Sequence, residues 1–324
     1  MFPTITEKSG ALSATGFAVE TSYGVPVAAT TFLPDMSNNL EVDPGWFSPE
    51  LMMGTRDLHV FNLQGEEKFE GTVEGPLFPS NAIQLPVAAI GTDAVSGSAA
   101  PYTHLISQAN SLASLTVEKN TGSYQSLQFA GMRVNKLTFK VPTGNEAATI
   151  SADMVGQSAA ILTSPTAISV TNELPYTFAE ATATIFGTAR YEAYNCEVSI
   201  DNAVKSTYTY SGNHGPSFNT PVTLHVNGTL DVVWDSYNDS TYGDYAKMAA
   251  QTLGAFSLGV QHPSGGGYGV TLSCPQVVYS KQGTDLKISD VVMSTLSYES
   301  SKSLSAGYTI QGTVLNGVST AYTG

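Results

Sequence analysis

The chain has 324 residues, of which 42% are apolar and 12% are charged, and its formal net charge is −14 at pH 7. This length predicts two domains, and the apolar content excludes an intrinsically disordered protein. The negative charge repels nucleic-acid phosphates, which argues against a protein that binds DNA tightly.

Alternation of apolar and polar residues dominates the first half and predicts strands with one buried face. In Phe69–Leu77, apolar residues and glycines alternate with a polar face that carries Glu70 and Glu74. In Leu127–Val141 the parity of the apolar residues switches along the strand, which predicts a β-bulge. The other strands predicted in this half are Leu40–Val42 and Leu115–Val117.

Two short helices are predicted among the strands. Pro79–Gly91 has apolar residues on one side and Ser80 as a possible cap, and Pro86 limits the helix to a turn or two. Asp244–Gly254 has apolar residues at helical spacing, with Asp244 as the expected N-cap and Gly254 as the expected end.

The longest alternating segment lies in the second half. Val222–Trp234 is longer than a usual strand, and its polar face carries Asp231, with Asp235 directly after it. Gly228 stands in the middle of this strand and is predicted to mark a bulge or bend. The further predicted strands are Cys196–Ile200, Tyr268–Cys274, Leu286–Val292 and Tyr308–Val314.

The two halves have the same order of parts, which indicates an internal duplication. Each half has a short strand, a long irregular segment, a long strand and a short helix. The next strand begins SLTV at Ser114 or SLGV at Ser257. We expect the join within Ser164–Pro175. The predicted parts are an N-terminal arm, a first domain and a second domain, at residues 1–35, 36–168 and 169–324.

The irregular segments, residues 43–66 and 202–218, are long and rich in apolar residues. Exposed apolar surface of this extent predicts burial against another copy of the chain. The alternative is a loop that folds back over its own domain. The residues expected to make these contacts are Trp46, Phe47, Leu51, Met52, Met53, Tyr208, Tyr210 and Phe218.

The sequence patterns predict neither an enzyme nor a cofactor site. The five histidines lack metal-ligand spacing, and no GxSxG nucleophile elbow occurs. Cys196 and Cys274 are too few for a disulfide framework, and we expect both to be free, half-buried thiols. The chain has no apolar run of membrane-spanning length and no signal-peptide pattern at its start, so no membrane partner is expected.

Several segments, taken in order, resemble the tail tube (major tail) protein of long-tailed bacteriophages, the siphophages. In the first half they are TSYGVPVAATTFLP (Thr21–Pro34), KFEGTVEGPLFPSNAIQLPVAAIG (Lys68–Gly91) and FAGMRVNKLTFKV (Phe129–Val141). In the second half they are VSIDN (Val198–Asn202), VNGTLDVVWD (Val226–Asp235), LSCPQVVYSK (Leu272–Lys281) and the terminal STAYTG. The order and spacing of these segments, over nearly the whole chain, carry the resemblance.

The resemblance implies a mainly β fold of two tandem tail-tube β-sandwich or half-barrel domains, each with one short flanking α-helix. It implies that long strands of neighbouring copies join around a central channel, and that the long loops and terminal arms bridge stacked rings. Since single-domain members resemble hexameric rings, two domains per chain imply a trimer with pseudo-sixfold symmetry. The implied location is the virion, after synthesis in the host cytoplasm. The implied partners are further copies of the chain, the tape measure protein, the tail terminator and the distal tail proteins.

In such a tube the negative charge gains a role, because an acidic lumen lets DNA pass without sticking. The lumen candidates, chosen from the polar faces of the two long strands, are Glu70, Glu74, Asp231 and Asp235. The alternative is that these faces meet the outer solvent.

Two other functions stay open from the sequence. In a receptor-binding or carbohydrate-binding β-protein, Trp46, Tyr208 and Tyr210 would stack on sugars. The apolar residues Leu51–Met53 near Trp46 favour burial against protein instead. A capsid or head-decoration protein would also be β-rich and self-associating, but the internal duplication weighs against it.

Overall fold

The computed structural model describes residues 10–322, except residues 53, 55, 60, 82, 123–124, 172, 235, 238–241, 264 and 286–290. The described chain is mainly β, as predicted. The strands of the first half are β1 (Ala14–Val19), β2 (Thr31–Leu33), β3 (Ser37–Asn38), β4 (Glu41–Asp43), β5 (Trp46–Phe47), β6 (Leu63–Gln64), β7 (Lys68–Pro76), β8 (Gly91–Ser96), β9 (Tyr102–Gln108), β10 (Leu115–Asn120), β11 (Ser126–Pro142), β12 (Thr149–Val155) and β13 (Ser158–Leu162), with helix α1 (Gln84–Ile90) between β7 and β8.

Among the residues that the structure describes, the second half follows with ten strands and one α-helix. Its strands are β14 (Ala181–Ile185), β15 (Thr188–Ala189), β16 (Ala193–Asp201), β17 (Val204–Thr207), β18 (Phe218–Pro221), β19 (His225–Val233), β20 (Gly254–Gln261), β21 (Gly269–Asp285), β22 (Met293–Ser300) and β23 (Gln311–Asn316), with helix α2 (Asp244–Ala249) between β19 and β20.

One antiparallel sheet runs without a break through both halves, and we call it the long sheet. Its strand order is β4, β7, β12, β11, β16, β19, β22 and β21. The halves join where Lys136–Pro142 of β11 pairs with Asn195–Asp201 of β16. Each strand buries one face, because its alternate residues are apolar. The residues on this buried face include Phe69, Val73, Leu137, Phe139, Val198, Ile200, Val226, Leu230, Leu296 and Tyr298.

The buried face packs against a second layer of strands. In the first half this layer is β2, β1, β10, the start of β11 and β13. Over the second half, this layer is β15, β14, β20, the start of β21 and β23, and it continues into β9 and β8 of the first half. The strands β11 and β21, of 17 residues each, contribute to both layers. The register of β11 shifts between Val134 and Lys136, so the predicted bulge is confirmed.

The strands of the two halves pair in the same order. β10 and β12 flank β11 as β20 and β22 flank β21, and β7 pairs with β12 as β19 pairs with β22. The register shift in β11 has its counterpart between Tyr279 and Lys281 of β21. For example, Gly71 pairs with Met154 in the first half, and Gly228 pairs with Tyr298 at the same place in the second half. Residues that take the same place in the two patterns are called equivalent below.

The pairing also departs from the sequence alignment. The SLTV and SLGV segments were expected to be equivalent, so that Val117 would match Val260. In the structure Val117 pairs with Phe129, and the residue that takes the same place in the second half is Phe256, which pairs with Cys274. The alignment was therefore wrong by four residues, an even number that leaves the alternation of buried and exposed positions unchanged. The hairpin β8–β9 occurs once, in the first half, and it pairs with β23 of the second half. The domain boundaries stay a prediction.

Both helices are shorter than predicted. Helix α1 begins after Ile83, with no side-chain cap, so Ser80 is not its cap. Helix α2 begins after Gly243 and ends at Ala249, whereas Gly254 begins β20. Asp244 is not the cap of α2, because both of its carboxylate oxygens accept hydrogen bonds from Arg190.

The predicted strands differ from the observed ones mainly at their ends. The long strand begins at His225 rather than Val222, and the last strand begins at Gln311 rather than Tyr308. Gly228 lies in regular pairing with Val198 and Tyr298, so the bulge predicted there is wrong. Most of Leu286–Val292 lies outside the described residues.

Burial raises the pKa of five groups in the core. It raises the pKa of Cys274 to about 12 and the pKa of Cys196, Tyr176, Tyr279 and Tyr298 above their usual values. The unfolded chain loses these protons at lower pH than the folded chain, so stability falls as pH rises through about 8.5–10. We expect urea unfolding to show a free energy of unfolding lower at pH 10.5 than at pH 8. An unchanged value would contradict this assignment.

Candidate functional site

The polar face of the long sheet gathers the acidic candidates. Glu70 and Glu74 are exposed on β7, and the register through β12, β11, β16 and β19 places Asp231 on the same face. Asp231 is half-buried, and its carboxylate accepts hydrogen bonds from Asn195 Nδ2 at 2.9 Å and Thr295 Oγ1 at 2.6 Å. Asp235 lies outside the described residues.

Further charged residues on this face were missed by the sequence analysis. Most of them belong to strands other than β7 and β19, and alternation in segments such as Ile150–Met154 is a usable signal for them. The acidic residues of the face are Glu41, Asp43, Glu70, Glu74, Asp153, Glu197, Asp201, Asp231 and Glu299, and its basic residues are Lys68, Arg133, Lys136, Lys140 and Lys281. The face is therefore acidic across both halves.

The first irregular segment forms a hairpin through β5 and β6, called the first hairpin (residues 46–64). Trp46 is 64% exposed and Met52 is fully exposed, and Phe47 and Leu51 are exposed as well. Met53 lies outside the described residues. Apolar side chains of this size in contact with water are a liability for a single chain, which indicates a protein partner.

The second irregular segment forms the equivalent hairpin through β17 and β18, called the second hairpin (residues 204–221). Its middle part rests on the first half of the chain. His214 Nδ1 lies 3.0 Å from the Gly65 carbonyl, and Tyr208 Oη donates to the Glu67 carbonyl at 3.2 Å. Gln157 Nε2 donates to the Ser217 carbonyl at 3.1 Å. The second hairpin is thus held by contacts across the junction of the two halves.

Tyr210 is exposed in the turn of the second hairpin, although Tyr208 and His214 on either side of it make these contacts. Tyr210 is fully exposed and Phe218, on β18, is more than half exposed, whereas Tyr208 is half-buried. Of the described residues that were expected to contact another copy, Tyr208 is anchored within the chain, whereas the others are exposed on the two hairpins.

Both hairpins begin with the same turn. The Asp43 carboxylate accepts a hydrogen bond from Gly45 N at 3.0 Å, and the Asp201 carboxylate accepts one from Ala203 N at 2.8 Å. Gly45 and Ala203 both have positive φ, 56° and 44°. Asp side chains favour this local hydrogen bond, which redirects the chain out of the sheet. The two hairpins therefore leave the long sheet from equivalent strand ends.

The long sheet has an open edge at each end. At one end β4 pairs with β7 on one side only, and at the other end the part of β21 beyond Val277 pairs with β22 only, among the strands that the structure describes. An unpaired edge presents free backbone N–H and C=O groups to another strand.

The long sheet thus combines an acidic face, open edges and exposed apolar hairpins. The family model described as phage tail tube protein matches residues 10–300. The chain belongs to this family. The match gives the tail tube protein a structural role in the phage virion, as the resemblance predicted. No curated protein matches the chain. Among the described residues, no helix of the tail tube protein is long and apolar enough to span a membrane.

Proposed function

We propose that the chain assembles into stacked rings that form the tail tube through which phage DNA reaches the host cell. Each ring contains three copies, and the two halves of each copy give pseudo-sixfold symmetry. The repeated pairing order of the halves supports a duplicated tail-tube domain, and the two open edges of the long sheet support closure by further copies.

The polar face of the long sheet is the proposed lumen lining, and its charge is the observation that carries the proposal. Acidic residues outnumber basic residues on this face, and the face continues from β4 to β21 without an interruption. A negative wall prevents the phosphate contacts that would hold DNA in the channel. DNA then passes without specific binding.

The exposed hairpin tips are proposed to connect one ring to the next. Met52 and Tyr210 are fully exposed, and burying such side chains between rings gives a hydrophobic contribution to stacking. Strands β1 and β2, both within the predicted N-terminal arm, belong to the chain's own second layer, so the ring contacts are proposed for the hairpin tips. The tape measure protein inside the tube, and the tail terminator and distal tail proteins at its ends, are the expected partners.

Electron microscopy of the purified chain at high concentration tests the assembly. We expect tubes with a regular ring repeat, threefold symmetry and six similar lobes per ring. Isolated particles at every concentration, or closed shells, would contradict the tube.

Charge reversal tests the lumen assignment. The triple variant Glu70→Lys, Glu74→Lys and Asp231→Lys should form tubes that retain short fluorescent DNA at low salt and release it at high salt, because lysines supply phosphate contacts. Phage that carries these changes should eject its genome more slowly. The control is Glu146→Lys, an exposed residue in the loop after β11. Normal tubes that show no DNA retention and unchanged ejection would place these residues outside the lumen.

A further inference from the structure

We propose that two copies contact each other in the same way as the two halves of one chain do at their junction, an inference that rests on the proposed function. In this contact, β4 and the first hairpin of one copy dock on the β21 edge of the next copy. In the proposed register Asp43 lies opposite Lys281, Val42 opposite Gln282 and Glu41 opposite Gly283.

The register follows from the pairing inside the chain. At the junction, Lys136 of β11 lies opposite Asp201 of β16, and the next pairs are Leu137 with Ile200 and Thr138 with Ser199. Lys136 and Lys281 are equivalent, since each directly follows the register shift of its strand. Asp201 and Asp43 are equivalent, since each pairs with the first residue of the following long strand, His225 or Lys68, and each opens a hairpin.

The charges of the paired residues and the free space along the β21 edge are both compatible with this register. Lys281 opposite Asp43 repeats the cross-strand pairing of a lysine with an aspartate at the junction, and opposite charges at such positions attract. Lys281 and Asp43 are both exposed. A side chain at Gly283 would meet no atom within 4 Å, so the strand edge is open there.

The first hairpin also meets a matching surface in the proposed contact. At the junction, the second hairpin rests on the segment just before β7 and on Gln157, which follows β12. The equivalent surface in the second half is the segment just before β19 and the segment after β22. Val222 and Leu304 in these segments are exposed by 60% and 95%. Their apolar surface is complementary to Trp46 and Phe47 of the first hairpin.

The two helices differ as this contact requires. Helix α1 beside the junction is entirely buried, and the Ala89 carbonyl in it accepts a hydrogen bond from Asn202 Nδ2 of the second half at 3.0 Å. Helix α2 beside the β21 edge has no buried residue. The second half thus has an uncovered side where the first half is covered, and a further copy would cover it.

Paired cysteine substitutions test the register in assembled tubes. Glu41→Cys with Gly283→Cys places both thiols on the polar face, and a short bifunctional thiol reagent should link the copies. Denaturing electrophoresis should show linked dimers and trimers, with the closed trimer as the end product. Cys196 and Cys274 are buried and should not react. The matched control is Glu41→Cys with Thr284→Cys, which places the second thiol on the opposite face and should give no linked product.

Carbodiimide coupling of the unaltered chain gives a second measurement. It should join Asp43 to Lys281 between copies, and the Lys136–Asp201 pair inside each copy serves as the positive control. Tubes that form but give neither the cysteine product nor the Asp43–Lys281 product would overturn this interface while leaving the tube intact. If the unaltered chain forms no tubes, the proposed function itself fails.

Discussion

Replacing Asp244 by alanine should lower the free energy of unfolding by about 3 kcal/mol, the lower end of the cost of breaking a buried ion pair, because the buried guanidinium of Arg190 then keeps only the Glu192 carboxylate, 2.5 Å from its Nε. The Arg190 side chain is 2% exposed. Its Nη1 and Nη2 donate to the two carboxylate oxygens of Asp244 at 2.8 and 2.7 Å, and Tyr279 Oη donates to the same carboxylate at 2.8 Å. The network holds α2 against β21, the strand whose edge is proposed to meet the next copy.

The double variant Arg190→Met, Asp244→Leu is the control for this prediction. Removing both charges eliminates the poorly paired guanidinium, but it also removes the cation beside Glu192, so the double variant should recover only part of the stability that Asp244→Ala loses. Urea unfolding of the single and double variants measures the difference. A loss below about 1 kcal/mol for Asp244→Ala would show that water reaches the guanidinium and replaces the carboxylate.

Periodicity predicted the features that depend on one strand and its two faces. In β7 it identified Phe69 and Val73 as core residues and Glu70 and Glu74 as exposed ones, and the structure confirms all four. The bulge in β11 was also predicted, because a switch of apolar parity requires an extra residue in the strand.

The features that sequence analysis missed depend on residues far apart in the chain. Arg190 and Asp244 are 54 positions apart, and no local pattern indicated that Asp244 pairs with an arginine instead of capping a helix. The pairing of β11 with β16, which makes the polar face continuous, is also a long-range feature. For this reason the sequence located acidic residues on two separate strands but not the single acidic face that contains them.

Gly228 shows how a correct observation led to a wrong explanation. A glycine inside a long strand predicts a bulge or bend. In the structure the strand is regular there, and the glycine is needed because other atoms occupy the space of a side chain. A Cβ at Gly228 would lie 2.3 Å from the Glu197 carbonyl oxygen and 2.3 Å from Tyr298 Oη.

Gly228→Ala should therefore lower the free energy of unfolding by about 1–3 kcal/mol, the usual cost of overpacking a core. This loss outweighs the gain of about 0.5–1 kcal/mol that alanine gives over glycine inside a strand. Chemical unfolding of Gly228→Ala beside Gly283→Ala measures the effect, since alanine at Gly283 meets open space in the same sheet. Adding Tyr298→Phe removes the hydroxyl clash and should restore only part of the stability, because the Glu197 carbonyl and the ring carbon Cζ of residue 298, 2.5 Å from the Cβ position, both remain. Equal stability of the two alanine variants would mean that the long sheet yields at Gly228 without strain.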